Sequence, residues 1–384
     1  MSDTIKTLKA LIERNTENPP GNTRHIVEWI REWAAEEGIT SECDYYDTDK
    51  ANIILSVGDA PRSLVLTGHL DTVPIGKRSN WTKDPIGAQE LDGYVYGRGS
   101  ADMKAGVAAC LGAVKHFNRL SENKDLDYMV TFLGTSDEEI GLEGAKHAVK
   151  SGIMNSADFL LVAEPTGLNV GIAEKAVLWM TIQARGRAAH GSTPEKGINA
   201  IEAITDLFPM LRSALPELQD PILGQSTLNI GVIQGGKSAN VVPEYAELQC
   251  DYRLVPPINP QGFAKKIADL LKSEMQSSPA KFTHLVRQIM APLSVSPDNE
   301  FVKQFITLGK RPDRSSVIGL NYGTDAAVLV GESENPVPFV IYGPGDPQAI
   351  HIADERVAIA EVLEAERVIF EFLKKTALSS PEDE

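Results

Sequence analysis

The stretch LVLTGHLD, residues 64–71, is an apolar run closed by Gly68 and then by His69 and Asp71. A short continuous apolar run bounded by turn residues fits a strand buried on both faces, as in a parallel sheet. Its tip carries an imidazole and a carboxylate. Four other segments place similar groups after apolar stretches. TFLGTSDEEIG (131–141) carries Glu138 and Glu139, FLLVAEPT (159–166) carries Glu164, IYGPGDPQAIH (341–351) carries His351, and GRGSADMKAG (97–106) carries Asp102. In open α/β sheets ligands bind beyond the carboxyl ends of the strands, so separate strands can deliver these side chains to one crevice.

Reading outward from residues 64–71, the pattern predicts helices over 4–15 and 23–37, with Asn22 or Thr23 as cap and Gly38 as stop. Strands follow at 52–57 and 63–67, a helix at 104–120, a strand at 128–134, a helix at 142–150 and a strand at 158–163. Near the carboxyl end a strand at 337–342 precedes a long helix at 354–375. Strands alternating with helices imply an α/β fold with both faces of the sheet covered. Between these parts the order changes to β-α-β-β-α-β: strands at 177–184, 226–234, 246–253 and 281–288, and helices at 199–215 and 260–277, the first of which Pro209 kinks or ends. This is the ferredoxin-like order. It sets an inserted domain at 176–290 between two parts of one catalytic domain, 1–175 and 291–384. Residues 379–384 read as disordered.

Two neutral imidazoles with three carboxylates suit zinc. Two Zn²⁺ bring about +4 and Asp102, Glu139 and Glu164 about −3, so a bridging hydroxide makes the cluster neutral. Asp71, two residues after His69, can accept the other ring N–H and fix its tautomer. Glu138 and Glu139 are adjacent, and one of them is left free to act as a base toward a metal-activated water. Taken singly, each residue has a plainer reading: a surface His, a turn Asp, or a helix start where negative charge suits the dipole. Their joint placement after apolar strands favours the metal. His25, His116, His147 and His284 lie on expected helices or the inserted domain's strand and read as structural or exposed.

The formal net charge of −16, without a basic block, argues against nucleic-acid binding. Cys43, Cys110 and Cys250 are widely spaced and odd in number, which fits reduced thiols rather than a disulfide framework. The first residues read as an amphipathic helix rather than a signal peptide, and no apolar run is long enough to span a membrane. A cytoplasmic location is expected.

Together, GHLDTVP, GRGSADMKAG, TSDEEIG, AEPT and the late GPGD and IH resemble the signatures of the M20 metallopeptidases, in the order they take in that family. The resemblance covers nearly the whole chain. It implies a zinc-hydrolase three-layer α/β catalytic domain with an inserted ferredoxin-like lid and dimerisation domain, and two Zn²⁺ per chain, replaceable by Co²⁺. It also implies that Asp102 bridges the metals, that His69 and Glu164 hold one, that Glu139 and His351 hold the other, that Glu138 is the general base and that Asp71 orients His69. A cis peptide between Asp102 and Met103 is implied as well. In the family Glu at the position of Glu164 is typical of deacylases, whereas carboxypeptidase G carries Asp. EPTGLNVGIAEKAVLW is similar to the acetylornithine deacetylase and succinyl-diaminopimelate desuccinylase branch. The expected substrate is therefore a small N-acylated amino acid or peptide-like amide, with carboxypeptidase or dipeptidase activity as the alternative. RGRAAHGSTPEKGINAI resembles the lid segment whose His, here His190, contacts the scissile carbonyl. GGKSANVVPEYAELQCDYR supplies Asn240 and Arg253, and GTDAAVL supplies Gly323 and Thr324, as substrate contacts. For Arg253 an ordinary ion pair is an equal alternative, and for Thr324 and Asp325 a helix start. The resemblance further implies a homodimer in which His190 and Asn240 complete the partner's site, with no nucleic-acid or membrane partner.

Overall fold

Apolar runs bounded by Gly and polar residues form the central strands, as their patterning implies, in a computed structural model that describes residues 2–309, 317–334 and 336–379. Most of the segment expected to be disordered lies outside the described residues; Ser379 itself bonds to Asp125 and Asp127. The chain divides into two compact units. One comprises Met1–Ile172, Val295–Ile318 and Thr324–Glu384, the other Ala173–Ser294 and Gly319–Gly323. Residues 319–323 thus join the second unit, well beyond position 290.

The first unit opens with α1 (Asp3–Ile12) and α2 (Arg24–Glu36). Gly38 ends α2 with a left-handed φ of +69°. Thr23 precedes α2 without capping it; its hydroxyl accepts from Ser136 Oγ at 2.6 Å. Next come β1 (Thr40–Tyr45), β2 (Ala51–Val57), β3 (Ser63–His69), β4 (Gln89–Leu91), β5 (Tyr94–Tyr96), α3 (Lys104–Ser121), β6 (Met129–Thr135), α4 (Glu143–Ser151), β7 (Ala157–Val162) and β8 (Gly171–Glu174).

In the second unit, β9 (Ala176–Arg185) is followed by α5 (Ala200–Thr205) and α6 (Phe208–Ser213). The helix expected over 199–215 is therefore broken, with Pro209 in the first turn of α6, where its missing N–H costs nothing. Asn199 caps α5 by accepting from the N–H groups of Ile201 and Glu202. A short pair, β10 (Gln219–Asp220) and β11 (Gly224–Gln225), leads into β12 (Thr227–Gly235), β13 (Tyr245–Leu254), α7 (Pro260–Glu274), β14 (Lys281–Met290) and β15 (Leu293–Ser294). The antiparallel sheet has the order β12-β13-β9-β14, the ferredoxin-like arrangement. Leu178, Met180, Ile182 and Ala184 alternate onto its buried face, in a core shared with Ile204, Leu211, Ile267 and Leu271.

The chain then adds α8 (Glu300–Leu308), β16 (Ile318–Leu320), α9 (Ala326–Leu329), β17 (Phe339–Ile341), β18 (Arg356–Ala358) and α10 (Ile359–Ala377). The expected helix over 354–375 starts later than its apolar spacing suggests, because Arg356–Ala358 pairs with β5 as a strand. The main sheet of the first unit runs β1-β2-β6-β3-β7-β17-β8, and β6, β3, β7 and β17 are mutually parallel neighbours. From β3 the chain moves to β6 on one side and then returns past β3 to β7 on the other. Right-handed crossovers in opposite directions put α3 and α4 on opposite faces, which gives the three-layer α/β fold. Every residue of β3 is buried, as a central parallel strand requires. Among the described residues no helix is long and apolar enough to cross a membrane.

Candidate metal centre

The four parallel strands end side by side, and the chemistry follows each end. His69 closes β3, Glu138 and Glu139 come just after β6, Glu164 just after β7, and His351 follows β17. Asp102 immediately precedes Met103, the residue from which α3 starts, and the Asp102–Met103 peptide is cis. The side chains form two groups sharing one member: His69, Asp102 and Glu164, and Asp102, Glu139 and His351. Each oxygen of Asp102 faces a different imidazole. His69 Nε2 lies 3.1 Å from Oδ1, and His351 Nε2 lies 2.9 Å from Oδ2. His69 Nε2 is 3.8 Å from Glu164 Oε1, and His351 Nε2 is 3.4 Å from Glu139 Oε1. A tetrahedral ion with bonds of about 2.0–2.2 Å holds its ligand atoms about 3.3–3.6 Å apart, and these spacings bracket that range.

Whether the groups fit a metal is decided by the tautomer of His69. Its Nδ1 is 2.9 Å from the Asp71 carbonyl oxygen and 3.7 Å from the Asp71 carboxylate, so Nδ1 carries the hydrogen and the backbone is its nearer acceptor. In a neutral ring Nε2 is then a lone pair aimed at two carboxylate oxygens. Only a cation makes that arrangement attractive: a proton on the ring, or a metal held by all three atoms. With side chains alone the proton does this. Burial pulls the His69 pKa down, but the Asp102 hydrogen bond and the charges of Glu164, Asp102 and Glu138 outweigh it and hold it well above the usual imidazole range. The Asp102 and Glu139 hydrogen bonds likewise push His351 up to about 10. Burial opposes ionisation of Asp102, but its bonds to His351 and His69 hold it well below the usual carboxylate range. Glu138 and Glu164 are pushed well up, first by burial and then by like charges around them, with His69 opposing. Crowded carboxylates opposite two imidazoles form a donor set that fits a pair of divalent ions. Glu138 belongs to neither group.

Buried partners hold these candidate ligands. The Asp71 carboxylate accepts the backbone N–H of Glu138 (3.2 Å) and of Glu139 (3.3 Å), and Glu139 Oε1 accepts from Val73 N–H at 3.2 Å. Glu355, four residues after His351, accepts the N–H groups of Ala101 (2.9 Å) and Asp102 (3.1 Å) on Oε1. Its Oε2 takes Arg98 Nη1 at 2.5 Å, a buried ion pair. One carboxylate thus ties the loop of the shared ligand to the segment carrying His351. Asp325 accepts from Thr135 Oγ1 at 2.5 Å, and its other oxygen is buried without a partner among the described residues; burial pushes its pKa up to about 6. Sequence reading places neither Glu355 nor Arg98 in the site, and it names Asp325 only in the GTDAAVL segment, as a substrate contact or a helix start. A carboxylate just after a His segment resembles a helix start, and nothing local marks it as a clamp.

Thr324 lies in the first unit and accepts the N–H of Ala326 at 3.2 Å, as a residue at a helix start does. His190, Asn240, Arg253 and Gly323 belong to the second unit. His190 is exposed, and its Nδ1 accepts the N–H of Ser192 at 3.1 Å. It pairs with Val241, and Gly191 N–H bonds to the Asn240 carbonyl at 2.7 Å, so His190 and Asn240 are brought together. Arg253 is near the other end of β13, roughly 26 Å along the strand from Tyr245 at ~3.3 Å per residue. Its guanidinium grips Asp251 with two bonds, 2.8 and 3.0 Å.

Residues 65–375 match the model of peptidase family M20/M25/M40. The chain is 28% identical over 388 residues, 92% of each chain, to a probable succinyl-diaminopimelate desuccinylase of Staphylococcus aureus (strain MSSA476). It is 28% identical over 354 residues, 88% of each chain, to an acetylornithine deacetylase of Aliivibrio salmonicida (strain LFI1238). Among solved structures, an M20 family metallo-carboxypeptidase of Sulfolobus solfataricus shares the fold with a TM-score of 0.79 at 19% identity, over 97% of this chain and 99% of that one. A family match spanning most of the chain, with two candidate ligand groups inside it, makes this protein a metal-dependent hydrolase that belongs to peptidase family M20/M25/M40.

Proposed function

We propose that the protein is a two-zinc amidohydrolase that removes the acyl group from the amine of an N-acyl amino acid, in the manner of acetylornithine deacetylase or succinyl-diaminopimelate desuccinylase. The observation that carries this reading is Asp102, whose two oxygens each face a different imidazole–carboxylate pair. Deacylation is supported by Glu at position 164 and by the two relatives that act on acylated amino acids by name. Bound divalent ions would polarise the amide carbonyl and make a nearby water acidic.

The chain's own residues do the rest. His69, Asp102 and Glu164 would hold one ion, and Asp102, Glu139 and His351 the other. Glu138, outside both groups and with its pKa raised, takes a proton from the attacking water and delivers it to the departing amine nitrogen. The acyl carbon gains the water oxygen as the C–N bond breaks. Because His190 Nδ1 accepts the Ser192 N–H, its ring hydrogen sits on Nε2, where it can donate to the oxyanion. Asn240, Gly323 and Thr324 contact substrate in this proposal. Arg253 does so only by exchanging Asp251 for the substrate carboxylate.

β12 has no charged residue and forms an edge of its sheet, which supports pairing into a homodimer with His190 and Asn240 serving the partner's site. Cys43, Cys110 and Cys250 are all free thiols, which suits a cytoplasmic enzyme. The test is a panel of N-acetyl and N-succinyl amino acids beside dipeptides, assayed with added Zn²⁺ or Co²⁺. Turnover confined to acylated amino acids is expected. Turnover confined to dipeptides would replace this reading with a dipeptidase or carboxypeptidase.

A further inference from the structure

Asn18 lies between α1 and α2, well before residue 65, where the family match begins. It is buried, and its backbone is fixed by a 2.7 Å bond from its N–H to the Thr72 carbonyl. The side-chain nitrogen donates to Asp71 Oδ2 at 2.8 Å and to Asp137 Oδ1 at 2.8 Å. An amide NH₂ has two hydrogens, and both are used on carboxylates. The flipped amide would set a carbonyl oxygen against two anions, so the assignment of the nitrogen is fixed by its surroundings. Among the described residues its own Oδ1 is buried without a donor, which the fold tolerates to keep the nitrogen between the two acids. Asp137 receives Lys50 Nζ on both oxygens, at 2.8 and 2.9 Å, and the Tyr46 hydroxyl at 3.3 Å. Asp71 receives the backbone N–H groups of Glu138 and Glu139.

We infer that Asn18 is a positioning residue of the metal centre. It fixes the rotation of the Asp71 carboxylate under the backbone of Glu138 and Glu139, and it links that carboxylate through Asp137 to the Lys50 ammonium. The inference rests on the reading of His69, Asp102, Glu139, Glu164 and His351 as metal ligands. Without the amide, two buried carboxylates face each other with nothing between them. Asp71 then turns away, the N–H of Glu139 loses its acceptor, and the Glu139 side chain leaves its place opposite His351 and Asp102. Outer partners that orient ligands in this way typically change metal affinity by about 10–100-fold when removed.

The experiment uses the full chain and Co²⁺ as the probe, measured by equilibrium dialysis and visible d–d absorption. Asn18→Asp keeps the size of the side chain, removes both donors and adds a third carboxylate. The expected result is a Co²⁺ affinity about 10–100-fold weaker at one of the two ions with an altered visible spectrum, and a lower metal-free melting temperature, because a third carboxylate is buried beside Asp71 and Asp137. Turnover should fall with KM changed by less than about threefold. A folded Asn18→Asp protein with wild-type Co²⁺ affinity and spectrum overturns the inference, whatever its melting temperature. If that variant does not fold, Lys50→Met tests the same link from its outer end: weaker Co²⁺ binding supports the link and unchanged binding overturns it. The two readings fail differently. A wild-type chain that takes up no Co²⁺ sinks the metal centre and the inference with it. A wild-type chain that takes up two ions, as firmly as Asn18→Asp does, sinks the inference alone.

Discussion

At the scale of single residues, Glu138 and Glu139 are chain neighbours with different surroundings. Glu139 faces His351 and takes the Val73 N–H, whereas Glu138 stands outside both ligand groups. Sequence alone leaves open which of the two is free, and the resemblance implies that Glu138 is the base. Glu138→Gln should therefore lower kcat by about 10²–10⁴-fold while metal content by plasma emission stays at the wild-type level. Metal loss in that variant would make Glu138 a ligand instead. The buried Arg98–Glu355 pair makes a second case, invisible to local pattern because 257 positions separate its members. Arg98→Met leaves a buried carboxylate unpaired and should cost ~3–5 kcal/mol in chemical unfolding. Arg98→Met combined with Glu355→Gln should recover a good part of that loss, and a strictly additive double variant would show that the two do not act as a pair. Thiol reactivity offers a third check. Burial pushes Cys250 up to about 12 and Cys110 higher still, while Cys43 is half-buried. In the native protein iodoacetamide should label Cys43 first, as peptide mass spectrometry would show.

At the scale of elements, what the sequence made legible was periodicity. The apolar runs at 63–67, 128–134, 158–163 and 337–342 read as strands, and each is one, at Ser63–His69, Met129–Thr135, Ala157–Val162 and Phe339–Ile341, because parallel strands need no polar face. Three-residue strands outside such an apolar run have no pattern to read. β4, β5 and β18 exist through their pairing with one another, and Arg356–Ala358 went to the helix in the sequence reading because Val357 also fits its apolar stripe. Nor does pattern show how closely elements approach. Gly106, in the first turn of α3, has the carbonyl of Ala163 where a Cβ would stand, 1.9 Å away. Ala163 directly precedes Glu164, so α3 and the end of β7 can set Asp102 against Glu164 only with no side chain at this position. Gly106→Ala should lower stability by ~1–3 kcal/mol or more and weaken Co²⁺ binding by pushing these two ligands apart. Thermal unfolding and dialysis would measure the two effects separately, and an unchanged Co²⁺ affinity would show that the helix start gives way without disturbing the ligands.

At the scale of the molecule, the uncharged edge strand β12 contrasts with the opposite edge β14, which carries Lys281, His284 and Arg287. Charge on an edge discourages pairing, and its absence invites it. Ile233→Lys places a charge on β12 at a side chain already 48% exposed and should shift sedimentation from dimer toward monomer. A wild-type protein that sediments as a monomer would remove the proposed sharing of His190 between subunits. The interruption of the first unit by the second also has a consequence in time. The second unit is nearly contiguous in the chain, whereas His351, Glu355 and α10, which packs along α3, come after it. On the ribosome, Glu164 emerges about 190 residues before His351, a wait of roughly 10–40 s at ~5–20 residues per second. Through that interval the nascent chain holds four of its five proposed metal ligands, with neither the second imidazole nor the Glu355 clamp on the Asp102 loop. The order of synthesis therefore delays assembly of the proposed two-ion centre until the last stretch of the polypeptide has arrived.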